Sequence, residues 1–106
     1  MVTMNFNEYQ AVAESFADYE HVFYPHASLM IEAAELADLF AKPLLRGDEK
    51  QINRDDIISE AGDVLWNLAV LLKRSNIQLE EVAQYNIDKL TGRTERGTIR
   101  GDGGNR

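Results

Sequence analysis

The stretch from Ile57 to Leu72 sets the strongest limit on how this chain can fold. Its apolar residues recur every three or four positions, the period of an α-helix, with Ile57, Ala61, Val64, Leu68 and Leu72 making one face. Ile58, Leu65, Ala69 and part of Leu71 extend that face sideways, beyond the stripe that an ordinary surface helix needs. A helix of this kind must be covered on several sides. Three other short helices can do so in a four-helix bundle, and a chain of 106 residues does it more easily by pairing with a second copy.

The rest of the sequence supplies those helices and offers no convincing strand. Phe6, Tyr9, Val12, Ala13, Phe16 and Ala17 keep helical spacing and predict a first helix from Asn5 to about Tyr19. Pro25 disfavours helical geometry at Tyr24, so the second helix is expected from about His26 to Lys42, where Pro43 ends or kinks it before the polar turn "RGDEKQIN". Asn53 or Asp55 can cap a third helix that reaches about Ser75. The fourth runs from Leu79 to about Leu90, with Gly92 as its natural stop. Residues 92–106 are too rich in Gly and charge to pack a core and read as an arm on a single domain covering residues 1–106. The expected fold class is all-α, a four-helix bundle built into a homo-oligomer.

Composition narrows the function. With no cysteine there is no thiolate nucleophile and no cysteine-based zinc site. No apolar run is long enough to cross a bilayer, and "MVTMNFNEYQ" lacks the basic start and apolar stretch of a secretory signal, so a cytoplasmic location and no membrane partner are the expectation. A net charge of −7 argues against a general nucleic-acid binder. Residues 1–88 carry −10 and residues 89–106 carry +3. An acidic body with a basic end suits a metal-assisted phosphate site, although a solvated acidic surface with a frayed terminus explains the charges equally well.

Carboxylates decide between these readings. Glu32 and Glu35 stand three apart inside "LMIEAAELADLF", on one helix face a single turn apart. Glu60 and Asp63 repeat the arrangement in "ISEAGDVLWNL", where Asp56, Glu60, Asp63 and Asn67 form a polar stripe on an otherwise apolar helix. A lone pair of this kind is ordinarily a solvated face. Two pairs on helices that pack together would converge, and ionised carboxylates left unpaired in an apolar bundle cost several kcal/mol each, so four of them imply a compensating cation. Oxygen-only ligands point to Mg²⁺ or Mn²⁺. A di-iron bundle usually wants a carboxylate-x-x-His motif, whereas both histidines, His21 and His26, fall before or at the start of the second helix.

These motifs, "IEAAELAD", "ISEAGDVLWNLAVLL", "LEEVAQYNIDKLTGR" and "RTERGTIRGDGGNR", together resemble the MazG-like nucleoside triphosphate pyrophosphohydrolases of the all-α type, from about Tyr24 to the end of the chain. The resemblance implies that Glu32, Glu35, Glu60 and Asp63 are Mg²⁺ ligands, with Asn86 and Lys89 near the substrate. It implies a homodimer or homotetramer and Mg-dependent hydrolysis of a (deoxy)nucleoside triphosphate to the monophosphate and pyrophosphate, a nucleotide-pool housecleaning reaction. One departure is Ile31, where many members carry an acid, and it leaves open whether one or more metal ions are held. Glu35 or Glu60 is the expected general base.

Further candidates follow from position. Trp66 and Asn67, just beyond Asp63, could border the nucleobase, as could His26 and Tyr24; ordinary core for Trp66 and a plain surface position for His26 are the competing explanations. Asp38 could extend the carboxylate stripe. Asn86, Lys89 and Arg93 share a face of the fourth helix with Val82, expected to point toward the bundle and to meet phosphate, while Arg93 could instead complement the helix end. Two other functions fit the same pattern, a phosphoribosyl-ATP pyrophosphatase and a non-catalytic acidic helical module that binds a basic partner or a structural cation.

Overall fold

In the computed structural model, the described residues are 4–17, 24–47 and 52–97. Their regular structure is four helices and no strand: α1 (Phe6–Ser15), α2 (Tyr24–Leu45), α3 (Arg54–Arg74) and α4 (Leu79–Glu95). Local chemistry sets the starts. The Asn5 side-chain oxygen accepts the Glu8 N–H at 2.8 Å while its amide donates to the Glu8 carboxylate, a reciprocal cap on α1. Asn53 caps α3, accepting from the N–H groups of Asp55 at 2.8 Å and Asp56 at 3.3 Å. α2 begins at Tyr24 rather than His26, because a proline in the first turn gives up an N–H that would have had no partner there.

Two expected stops lie inside helices. Pro43 sits in the last turn of α2, which continues to Leu45 before Gly47 turns the chain with φ of 69°. The proline forfeits one ladder bond near the end of a long helix, too little to terminate it. Gly92 lies within α4, and the left-handed residue that closes this helix is Gly97, φ 70°. The first residues of the expected arm, 92–95, are thus helical; residues 98–106 lie outside the described residues. α1 stops at Ser15, short of the expected Tyr19, which also falls outside them.

α2 and α3 form a helical hairpin, α1 lies against α3, and α4 packs chiefly on α1. The joint core is small: Ala13, Ala69 and Leu79 are buried, with Tyr9, Leu65, Trp66, Leu68 and Leu72 packed around them. Its fastener is polar. Gln10, only 2% exposed, donates from Nε2 to the carbonyls of Ala69 (3.1 Å) and Ile77 (2.9 Å), and its Oε1 accepts the Leu79 N–H at 3.1 Å. One α1 side chain thus ties down the end of α3 and the first amide of α4, which no intrahelical carbonyl can reach. Asn7 adds an exposed second stitch to Glu80.

α2 and α4 share no substantial packing among the described residues. The Cα radius of gyration is 16.5 Å, against about 13 Å for a compact chain of this length. Phe6, Ile58, Val82, Tyr85 and Ile87 stay exposed, as do Met30, Ile31, Phe40 and Leu44 on α2. The four helices are those the periodicity predicts, but one chain leaves much of their apolar surface uncovered.

Candidate metal centre

The α2–α3 hairpin brings the two carboxylate motifs face to face. One oxygen from each of Glu32, Glu60 and Asp63 lies within 4.8 Å of the other two, close enough to share a single cation. Glu32 and Glu60 are partly buried, and each has a buried Oε2 with no hydrogen-bond partner. Burial raises the pKa of both above the usual carboxylate range, and the charges of Glu35 and then Asp63 raise it further. Such an arrangement is repulsive when ionised, and a divalent cation would relieve it. Oxygen donors alone, two of them unsatisfied, fit a hard ion such as Mg²⁺.

Glu35 is placed differently. It stands outside the three-oxygen set, yet it is the first neighbouring charge felt by both Glu32 and Glu60. It lines an open recess of about 360 Å³ with Glu60, Asp38, Leu39, Lys42 and Pro43. Asp38, expected to extend the stripe, is engaged by Lys42 at 2.7 Å across one helical turn. That pair puts a cation at the rim of an acidic recess. Lys42 is not among the residues the sequence motifs single out, and its spacing of four from Asp38 is the signal that marks the pair.

The remaining candidates divide. Asn67 is 2% exposed, and its amide donates to the backbone carbonyl of Asp63 at 2.9 Å, so within this chain its side chain is turned into the packing instead of standing open beside the carboxylates. Trp66 turns from the stripe toward α1, its Nε1–H donating to the Ala13 carbonyl at 2.9 Å. With Tyr9, Val12, Ala13 and Phe16 it lines a slot of about 330 Å³. Tyr9 lies near enough to Asp63 that, after burial, this charge is the second cause raising the pKa of its hydroxyl. Nothing in one sequence pairs residue 9 with residue 63, so this approach to the carboxylates is visible only in the fold. His26 is exposed at the start of α2 and does not belong to the three-oxygen set, and the side chain of Tyr24 lies outside the described residues. Ile31 is exposed, outside the cluster.

On α4, Val82, Asn86 and Lys89 do share a face, and with Leu65, Leu68 and Tyr85 they line a groove of about 450 Å³. Lys89 Nζ lies 5.9 Å from the centre of the Tyr85 ring. None of Glu32, Glu35, Glu60 and Asp63 lines this groove, and Leu65 lies well round α3 from Glu60 and Asp63, so within one chain the groove does not open onto the carboxylates. Arg93 is half-buried further along α4 and lines neither this groove nor the acidic recess.

The profile of the MazG nucleotide pyrophosphohydrolase domain matches residues 26–98, a span that holds all four carboxylates and α4. Gene 37 protein of Mycobacterium phage L5 is 37% identical over 114 aligned positions, covering 97% of this chain and 100% of the phage protein. Uncharacterized protein YvdC of Bacillus subtilis (strain 168) is 38% identical over 74, covering 63% of this chain and 70% of its own length. No solved structure matches with comparable significance.

Proposed function

Because the chain belongs to the MazG nucleotide pyrophosphohydrolase family, we propose that it is a Mg-dependent nucleoside triphosphate pyrophosphohydrolase that converts a (deoxy)nucleoside triphosphate and water to the monophosphate and pyrophosphate, in nucleotide-pool housecleaning. The observation that carries the proposal is the convergence of Glu32, Glu60 and Asp63 oxygens inside the matched segment. These three would hold Mg²⁺. When bound, the ion neutralises phosphate oxygens and makes a neighbouring water more acidic.

Glu35 is the preferred general base over Glu60, because it borders the same recess and stands beside Glu32 and Glu60 without belonging to the three converging oxygens. It would take the proton of the attacking water as the new oxygen–phosphorus bond forms at the α-phosphorus and the bond to the bridging oxygen of pyrophosphate breaks. Lys42 at the rim of the recess is suited to orient phosphate oxygens. For Lys89 and Asn86 to reach the same substrate, a second copy must bring its α4 to this hairpin. The exposed apolar surface of α3 and α4 supports a homodimer or a homotetramer.

A panel of nucleoside triphosphates incubated with Mg²⁺ and assayed for pyrophosphate tests the reaction. Release from common or modified deoxynucleotides is expected. Release from phosphoribosyl-ATP alone would assign the runner-up activity, and none from any substrate would favour a non-catalytic acidic helical module.

A further inference from the structure

We propose that Gln10 is a positioning residue for substrate binding: by bridging the elbow between α3 and α4, it fixes the direction in which α4 carries Asn86 and Lys89. That Asn86 and Lys89 meet the substrate rests on the pyrophosphohydrolase reading; that Gln10 sets the direction of α4 does not.

Three observations converge on it. The first is how little else holds α4. Apart from Leu79, which is buried in the joint core, α4 packs chiefly on α1 and has no substantial packing on α2 or α3. The groove of about 450 Å³ stands between Val82, Tyr85 and Lys89 on one side and Leu65 and Leu68 of α3 on the other. The second is the cap. Gln78, at the N-cap position of α4, makes no side-chain bond to the helix start. α1 supplies such bonds instead: Gln10 Oε1 accepts the Leu79 N–H and Asn7 Oδ1 accepts the Glu80 N–H at 3.3 Å. Amides that a preceding residue ordinarily caps are held here by residues 69 and 73 positions away.

The third is the elbow itself. α3 ends in a Schellman turn, with Asn76 at φ 60° and the Ile77 N–H donating to the Leu72 carbonyl at 2.9 Å. Only Ile77 and Gln78 then separate this closed end from the first residue of α4. Gln10 spans them, donating to the Ile77 carbonyl and accepting from Leu79, while its bond to the Ala69 carbonyl ties it to α3. The elbow has leverage. Asn86 and Lys89 follow Leu79 by seven and ten residues, roughly 10 and 15 Å along the axis. A tilt of about 10° at Leu79 moves the backbone at Lys89 by about 2.6 Å, and a misplacement of about 1 Å can cost a reaction ~100-fold. Gln10 lines neither the groove nor the acidic recess, so its effect on substrate is exerted through α4.

The chain has no cysteine, so Asp55→Cys on α3 and Thr91→Cys near the end of α4, both exposed positions, give two unique sites for spin labels. Labelled full-length protein, diluted with unlabelled protein, reports the α3–α4 distance within one chain by pulsed electron paramagnetic resonance. Gln10→Leu should shift or broaden that distance by about 3 Å or more. With the triphosphate that the wild type hydrolyses fastest, it should raise KM by about tenfold or more and lower kcat less. In a Lys89→Ala background the same change should raise KM by less than about twofold, because the group it misplaces is gone. A general loss of folded protein would instead lower kcat at constant KM in both backgrounds, and that pattern would overturn the proposal, as would an unchanged distance. Should Gln10→Leu fail to fold, Asn7→Ala, which removes only the exposed bonds to the same helix start, decides by the same two measurements. Its KM should rise about two- to fivefold, and no rise would overturn the proposal. A shifted distance in a protein that releases no pyrophosphate from any triphosphate would keep Gln10 as the residue that directs α4 and reject the hydrolase reading.

Discussion

Replacing Gln10 by leucine should be among the most damaging single changes in the chain. Leucine is close in volume, so little cavity is expected, and the loss falls on three hydrogen bonds to Ala69, Ile77 and Leu79. At about 1 kcal/mol net each, with an added penalty for the Leu79 N–H stranded in a buried place, the cost is about 3–5 kcal/mol. That is a large share of the ~5–15 kcal/mol that holds an ordinary domain together. Asn7→Ala cuts the exposed stitch along the same α1–α4 seam and should cost only ~0.5–1 kcal/mol. Urea denaturation followed by circular dichroism, at one fixed protein concentration, measures both, and amide exchange at Leu79 shows whether α4 comes loose first. A cost below about 1 kcal/mol for Gln10→Leu, or one no larger than for Asn7→Ala, would refute the view that this residue fastens α4.

Glu35→Gln should lower turnover by about 10²–10⁴-fold while leaving Mg²⁺ affinity largely intact, whereas Glu60→Gln and Asp63→Asn should lose both; melting curves without metal should show Tm held or raised in all three, since each change removes charge from a repulsive cluster. Because Glu32 and Glu60 have raised pKa values, the folded protein keeps protons that the unfolded chain gives up. Metal-free stability should therefore fall as pH rises from the ordinary glutamate value through the raised ones, and saturating Mg²⁺ should flatten the slope. Thermal melts across that range give the sign directly, and a rise with pH would contradict the clustering. In sedimentation velocity at micromolar concentration the protein should run as a dimer or larger, and Lys89→Ala should raise KM and lower kcat; a monomer that retains full activity would remove Lys89 and Asn86 from the chemistry.

Helix positions were legible because apolar spacing survives any choice of partner, and the two carboxylate motifs were legible because charges interrupt it. Ends were less so. Pro43 and Gly92 carry costs that the helices absorb, and the glycines that follow the helix ends, Gly47 and Gly97, adopt positive φ values; Gly47 lies in the polar turn the sequence marks, whereas Gly97 is one of several glycines near the end of the chain and spacing alone does not single it out. Asn67 continues the polar stripe in sequence, yet helix packing buries its side chain, which bonds back to the Asp63 backbone carbonyl. Gln10 is a polar residue outside the apolar spacing of the first helix, and its sequence neighbours carry no sign of its role. Its role depends on backbone groups 59 to 69 positions away, a relation that local periodicity does not encode.

Crystals of the protein soaked in Mn²⁺ and measured at the manganese edge would test the metal centre most directly. An anomalous peak within direct coordination distance of Glu32, Glu60 and Asp63 carboxylate oxygens, with Glu35 free of the ion, is the predicted result. A peak held elsewhere, or none at this cluster at millimolar metal, would contradict it.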